Sequence, residues 1–130
     1  MKLITVLIFV VAFAFAINTV SRAQECVTKE EVIVGMEAGA ERLGATIANE
    51  VYRGDVAVKT KDIFRSMLGM EVDFEVSELV VFRAKKMGIT VAIAIWFGPD
   101  NCGKFMLDKI PSEVMDDILM KSGARSARTE

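Results

Sequence analysis

Residues 88–104, GITVAIAIWFGPDNCGK, constrain the fold more than any other stretch. Nearly all of 89–97 is apolar and rich in β-branched side chains, which favour a pleated backbone. Alternation places Ile89, Val91, Ile93, Ile95 and Phe97 on one side and Thr90, Ala92, Ala94 and Trp96 on the other. Both sides are apolar, so this strand needs cover on both faces and a central place in its sheet. The bulky side is expected to meet the main core, and the small side to admit a helix at close range. Turn chemistry follows at once: Pro99 presets a turn dihedral, and Asp100 and Asn101 supply local side-chain hydrogen bonds.

The flanking segments supply partners for that strand. Residues 77–84, SELVVFRA, read as a strand, and 85–88 as the connection of an antiparallel hairpin into 89–97. Arg83, Lys85 and Lys86 gather at this connection, a pattern that suits a solvated hairpin tip or a charged edge. Beyond the turn, 104–107 (KFML) reads as a short returning strand.

Upstream, Thr28 and Glu31 in TKEE have the spacing of a capping box, so a helix is expected to start there and to run to about Arg42. Val32, Met36 and Ala40 form its apolar stripe, with Glu30, Glu37 and Glu41 on the other side. Gly35 and Gly39, one turn apart, suggest close approach to the sheet, with the small side of the central strand as the seat. Residues 44–53 fit either a continued helix or a strand; Gly44 as a terminator, together with Thr46, Ile47, Val51 and Tyr52, tilts the balance to strand. Residues 60–69 predict a second helix, capped by Thr60, ended by Gly69 and buried through Ile63, Phe64, Met67 and Leu68. A final helix is expected over 110–123, with Ser112 as its cap and Gly123 as its stop. The fold class that results is α+β: one small domain over 24–123, with an antiparallel three- to four-stranded sheet packed by N- and C-terminal helices. Residues 124–130 are expected to be a disordered tail.

The N-terminus sets the expected compartment. Lys2 precedes an apolar run over 3–17, and small residues at Ser21 and Ala23 suit a signal peptidase cut after Ala23. Residues 1–23 therefore read as a signal peptide, with retention as a membrane anchor the alternative. Glu25 before Cys26 disfavours lipid attachment. Secretion or release to the periplasm follows, with membrane contact only transient, through the signal peptide. In such a compartment Cys26 and Cys102, the only two cysteines, are expected to form one disulfide. Their wide separation suits a staple, not a redox pair of the CxxC kind.

Charge and composition exclude more than they identify. Removing Lys2 and Arg22 from 16 basic residues leaves 14 against 18 acidic ones, a balance unsuited to phosphate backbones, so no nucleic-acid partner is expected. The absence of histidine removes the common serine and cysteine hydrolase arrangements and His-ligated metal sites. A carboxylate enzyme remains conceivable through Glu71, Asp73 and Glu75, which share one side of an extended segment, though a catalytic pair would also need burial. The same carboxylates lack the spacing of an EF-hand. Met67 and Met70 have a spacing compatible with soft-metal ligation, but Met67 falls on an expected core stripe.

No catalytic, cofactor or metal residue is assigned on these grounds. The stretch singled out as a possible contact surface is Trp96, Phe97, Pro99, Asp100 and Asn101, since Trp is enriched at binding hot spots. Against that, Trp96 could simply close the core beside the disulfide. The expected function is thus a small exported, disulfide-stapled binding or accessory domain, leaning away from an enzyme, with an unidentified protein or small ligand as partner.

Overall fold

The structure, a computed structural model, describes residues 26–124; the expected signal peptide and all of the expected tail but Ala124 lie outside the described residues. The described chain runs α1 (Lys29–Leu43), β1 (Thr46–Arg53), α2 (Asp55–Leu68), β2 (Glu78–Lys86), β3 (Ile89–Phe97), β4 (Gly103–Pro111) and α3 (Ser112–Lys121). Its strands form an antiparallel meander in the order β1-β2-β3-β4, so β3 is central, as its two apolar faces require. Residues 44–53 resolve as a strand, paired to β2 from Thr46 opposite Lys85 to Arg53 opposite Glu78.

The capping box forms as its spacing predicts: Glu31 donates its amide to Thr28 Oγ1, and Thr28 donates its own to Glu31 Oε1. α1 and α2 stop on glycines in the left-handed region, Gly44 and Gly69, and α3 passes through Ser122 to Gly123 at φ 100°, positions where a side chain would be strained. At each stop the two following amides reach back to free carbonyls, as when Gly44 and Ala45 donate to Glu41 and Ala40. The same closure holds Ala124, the first residue of the expected tail, whose amide donates to Leu119 and whose side chain packs on the core.

The sheet is covered on both faces, but not in the arrangement its side-chain sizes suggest. Val80, Phe82, Ile93, Ile95 and Phe97 lie beneath α1, through Val32 and Met36. Leu79, Val81, Ala92, Ala94 and Trp96 meet Ala57 and Phe64 of α2 and Met115, Ile118 and Leu119 of α3. The glycine-bearing helix therefore sits on the bulky side of β3, and the larger core lies on the alanine side. Volume explains the reversal. On the bulky side the strand residues are large, and one helix, with Val32, Met36, Gly39 and Ala40 buried, covers them. The alanines leave a layer thick enough for an indole and two helices.

Three boundaries also move. α2 begins at Asp55, not near Thr60, so Thr60 is an interior residue with no exposure. Its buried stripe is Ala57, Thr60, Lys61 and Phe64, while Met67 and Leu68, expected inside, are 60% and 51% exposed because nothing packs over the last turn. β4 continues past Leu107 to Pro111 by a bulge at Lys109, whose φ of 58° absorbs the extra residue. As a result α3 starts at Ser112, Pro111 holds the cap position, and the Ser112 hydroxyl is free to serve elsewhere.

Thr60 explains itself through Trp96. The indole Nε1 donates to Thr60 Oγ1 at 3.2 Å, and that hydroxyl lies 2.9 Å from the carbonyls of both Val56 and Ala57. Phe64 meets the indole edge-on, and Phe105 lies tilted against it, each with centroids 5.6 Å away. Replacing Thr60 with Val keeps the shape but orphans a buried N–H. Thr60→Val should cost about 1–3 kcal/mol in urea unfolding and Thr60→Ser markedly less; equal costs would show that the hydroxyl is irrelevant.

Candidate functional site

The turn after β3 is built to hold, with little of it left to bind. Cys26 and Cys102 are bonded, with Cα atoms 5.1 Å apart, so the expected staple is present. Gly103 donates its amide to the Val27 carbonyl, and Thr28 bridges to Cys102, which makes the segment before α1 a short addition to the sheet. Asn101, at φ 67°, donates from Nδ2 to Glu30 Oε1 at 3.0 Å and thereby lowers the Glu30 carboxyl below its usual range. Asp100 accepts from the Cys102 amide and from Lys104, and these bonds lower its pKa too. Gly98 is held where a Cβ would come within 2.6 Å of Lys104 Cε and 3.3 Å of the Glu75 carbonyl.

Of the five residues singled out here, only Pro99 and Asp100 are exposed. Trp96 and Phe97 have no exposure and cannot be surface contacts. They lie on opposite faces: Phe97 shares the α1-side cluster with Val27, next to the staple, while Trp96 belongs to the α2 and α3 side. The aromatic that closes the core toward the disulfide is therefore Phe97. Trp96 was the more visible residue in the sequence only because of its type.

Glu78 ties the same end of the molecule together. Its carboxylate meets Lys29 at 2.8 Å and Arg53 at 2.7 Å, joining α1, β1 and β2. The hydrogen bond from Lys29 lowers its pKa from 4.5; Arg53 reinforces this, while burial opposes it.

The acidic segment after α2 is structural. Asp73 Oδ1 accepts from the buried Lys61 at 2.8 Å, and Lys61 also donates to the Phe74 carbonyl and lies 5.8 Å from the Phe74 ring centroid. Lys61 above all, then the Phe74 amide, hold the Asp73 carboxyl low, opposite to what a general acid needs. Glu71 and Glu75 are exposed. Among the described residues no group of three or more Cys, Asp or Glu is placed to hold a metal ion.

A polar cluster that sequence reading missed lies on the α3 side. Arg83, expected at a solvated tip, is only 14% exposed and pairs with Asp116 at 2.7 Å and Glu50 at 3.3 Å, while its Nη1 donates to Ser112 Oγ. Ala92 and Ala48 stand opposite it on the neighbouring strands, which leaves room for the guanidinium. Tyr52 donates to Glu50 at 2.7 Å; burial, then this carboxylate, raise its phenol well above the ordinary range. The cluster clamps α3 to the sheet.

Exposed apolar side chains occur at several places, among them Val34, Met67, Val72 and Met120, but at the β2–β3 turn they coincide with an unfavourable backbone conformation. Lys86 pairs with Ile89, so the turn has two central residues, Met87 at φ 53° and Gly88 at φ 80°. Such a turn favours Asn-Gly, and Met in the left-handed region costs about 1 kcal/mol. Met87 is nevertheless 87% exposed and Ile89 67%, with Lys85 and Lys86 exposed beside them. The available sequence signal was Met where Asn belongs.

Comparison of the chain with protein-family models, curated proteins and solved structures finds no match.

Four carboxylates, Glu30, Asp73, Glu78 and Asp100, have lowered pKa values in the fold. Their stabilising contribution is fully present above their unfolded values and is lost as pH falls through the folded ones. Urea midpoints should hold down to about pH 5 and fall below it. Glu78→Gln should lower the midpoint at neutral pH, with the gap to wild type closing in acid; a gap constant with pH would contradict the ion-pair origin.

Proposed function

We propose that this chain is a small exported protein, acting in the periplasm or outside the cell as a non-catalytic binding or accessory domain held by one disulfide. The observation that carries the reading is a division of labour between the two ends of the sheet. At one end Cys26–Cys102, Glu78 with its two cations, and Asn101 with Glu30 lock α1 to the strands. At the other, exposed apolar side chains stand on a turn whose backbone would be better served by a polar residue. A rigid scaffold with an apolar projection suits contact with something else. The lowered Asp73 pKa and the raised Tyr52 pKa give no support to acid–base catalysis.

A disulfide is compatible with an oxidising compartment, and a leader cut after Ala23 would deliver the chain there. Intact mass of the protein from the exported fraction, with thiol titration and analysis of whatever co-isolates in stoichiometric amount, tests the reading. The expected result is a chain starting at Gln24, without free thiols until reduced, carrying a partner. Recovery in the cytosol with both thiols free would overturn export, and isolation alone under mild conditions would overturn the binding role.

A further inference from the structure

We infer that the β2–β3 turn is a membrane-contact element that inserts Met87 and Ile89 into the headgroup boundary of an anionic bilayer, with Lys85 and Lys86 on the lipid phosphates. The inference rests on the binding reading above and specifies its surface, going beyond the transient contact expected of a signal peptide. Its first support is the juxtaposition itself: two side chains, 87% and 67% exposed, at the apex of a hairpin, flanked in sequence by two exposed lysines. Amphipathic elements that rest on membranes combine apolar groups with lysine in this way, and charge near the surface adds attraction for anionic lipid.

The second support is the backbone. Met87 holds a left-handed conformation that Asn would hold at lower cost, and no packing interaction repays it, since the side chain is almost wholly in solvent. A residue that costs stability and gains no contact within the fold marks a contact outside it. The third is shape. Two side chains, one on the turn and one at the first residue of β3, offer far less than the ~800 Å² per partner of a stable protein interface, whereas a bilayer accepts a small apolar apex.

The rest of this end of the sheet does not override the tip. Arg42, in the last turn of α1, and Lys109 are outnumbered by Glu41, Asp108 and Glu113, so this end of the sheet keeps one net positive charge, and it is concentrated at the tip by Lys85 and Lys86. The tip is also free to approach a surface, because the staple and the Glu78 ion pairs lie at the opposite end of β2 and β3.

The test is co-sedimentation of the protein recovered from the exported fraction with phosphatidylcholine vesicles, with and without phosphatidylglycerol. Wild type should sediment with the anionic vesicles. Met87→Asn should lower that partitioning about tenfold, with a Tm at or above wild type, which separates lost contact from lost folding. Lys85→Gln with Lys86→Gln should lower it about 30-fold and abolish the preference for anionic lipid. Partitioning unchanged in Met87→Asn, or an anionic preference retained without the lysines, would overturn the proposal. Should vesicles fail to bind while Met87→Asn loses a co-isolating protein, the tip is a protein contact; the membrane assignment then falls and the binding reading stands.

Discussion

The pairing of β2 with β3 brings together two strands that are apolar on both faces, and the other elements are arranged to keep water from them. Leu79, Val80, Val81 and Phe82 on one strand and Ala92, Ala94, Trp96 and Phe97 on the other have no exposure. Full burial of a side chain of the larger kind is worth about 1.5–3 kcal/mol, so leaving either face open would remove much of a small domain's stability of about 5–15 kcal/mol. One face takes α1 alone, and the other takes α2 and α3. The side-chain sizes on β3 set this unequal division. Its alanines create a thick layer that needs Phe64, Met115, Leu119 and the indole to fill it. The hydrogen bond from Trp96 to Thr60 then lets a polar-tipped ring occupy a dry position without an unsatisfied donor.

A single helix on the α1 face would be the easiest part of this arrangement to lose, and it is the part with the most attachments. The disulfide joins the residues before α1 to the start of β4 across a separation of 76 residues, a closure worth about 4.5 kcal/mol in the chain-entropy picture. Lys29 to Glu78 and Glu30 to Asn101 add hydrogen bonds at the same end. On the opposite face α3 is held by the Arg83 clamp to Ser112, Asp116 and Glu50. Charged groups are thus largely committed to holding helices on a sheet, while at the β2–β3 turn, as at the Lys109 bulge, a residue other than glycine or asparagine holds a left-handed conformation.

Local signals in the chain were legible where the cause was local. The capping box at Thr28 and Glu31, the glycine stops, the two-faced β3 and the cysteine pairing all depend on a few neighbouring residues or on elimination. Errors arose where tertiary partners decide. Thr60 has the chemistry of a cap, and only the indole of Trp96 explains why it sits inside α2. Asp108 and Lys109 fell between the strand read at 104–107 and the helix read from 110, yet a bulge carries β4 through them. The seat of the glycine helix depended on the volume of two helices whose packing was not visible in β3. Arg83 looked solvent-facing because its partners, Glu50 and Asp116, are distant in sequence. Of the contact surface read at residues 96–101, Trp96 and Phe97 are core and Asn101 is a tether, leaving Pro99 and Asp100 accessible.

If two-faced burial of β2 and β3 governs the fold, their inner amides can open only when both helical layers leave together. Native-state amide hydrogen exchange measures this directly. The amides of residues 79–82 and 92–96 should exchange with one common free energy equal to that of global unfolding, while Met87 and Gly88 exchange freely. Faster, separate exchange of either inner segment, at a free energy below the global value, would contradict it.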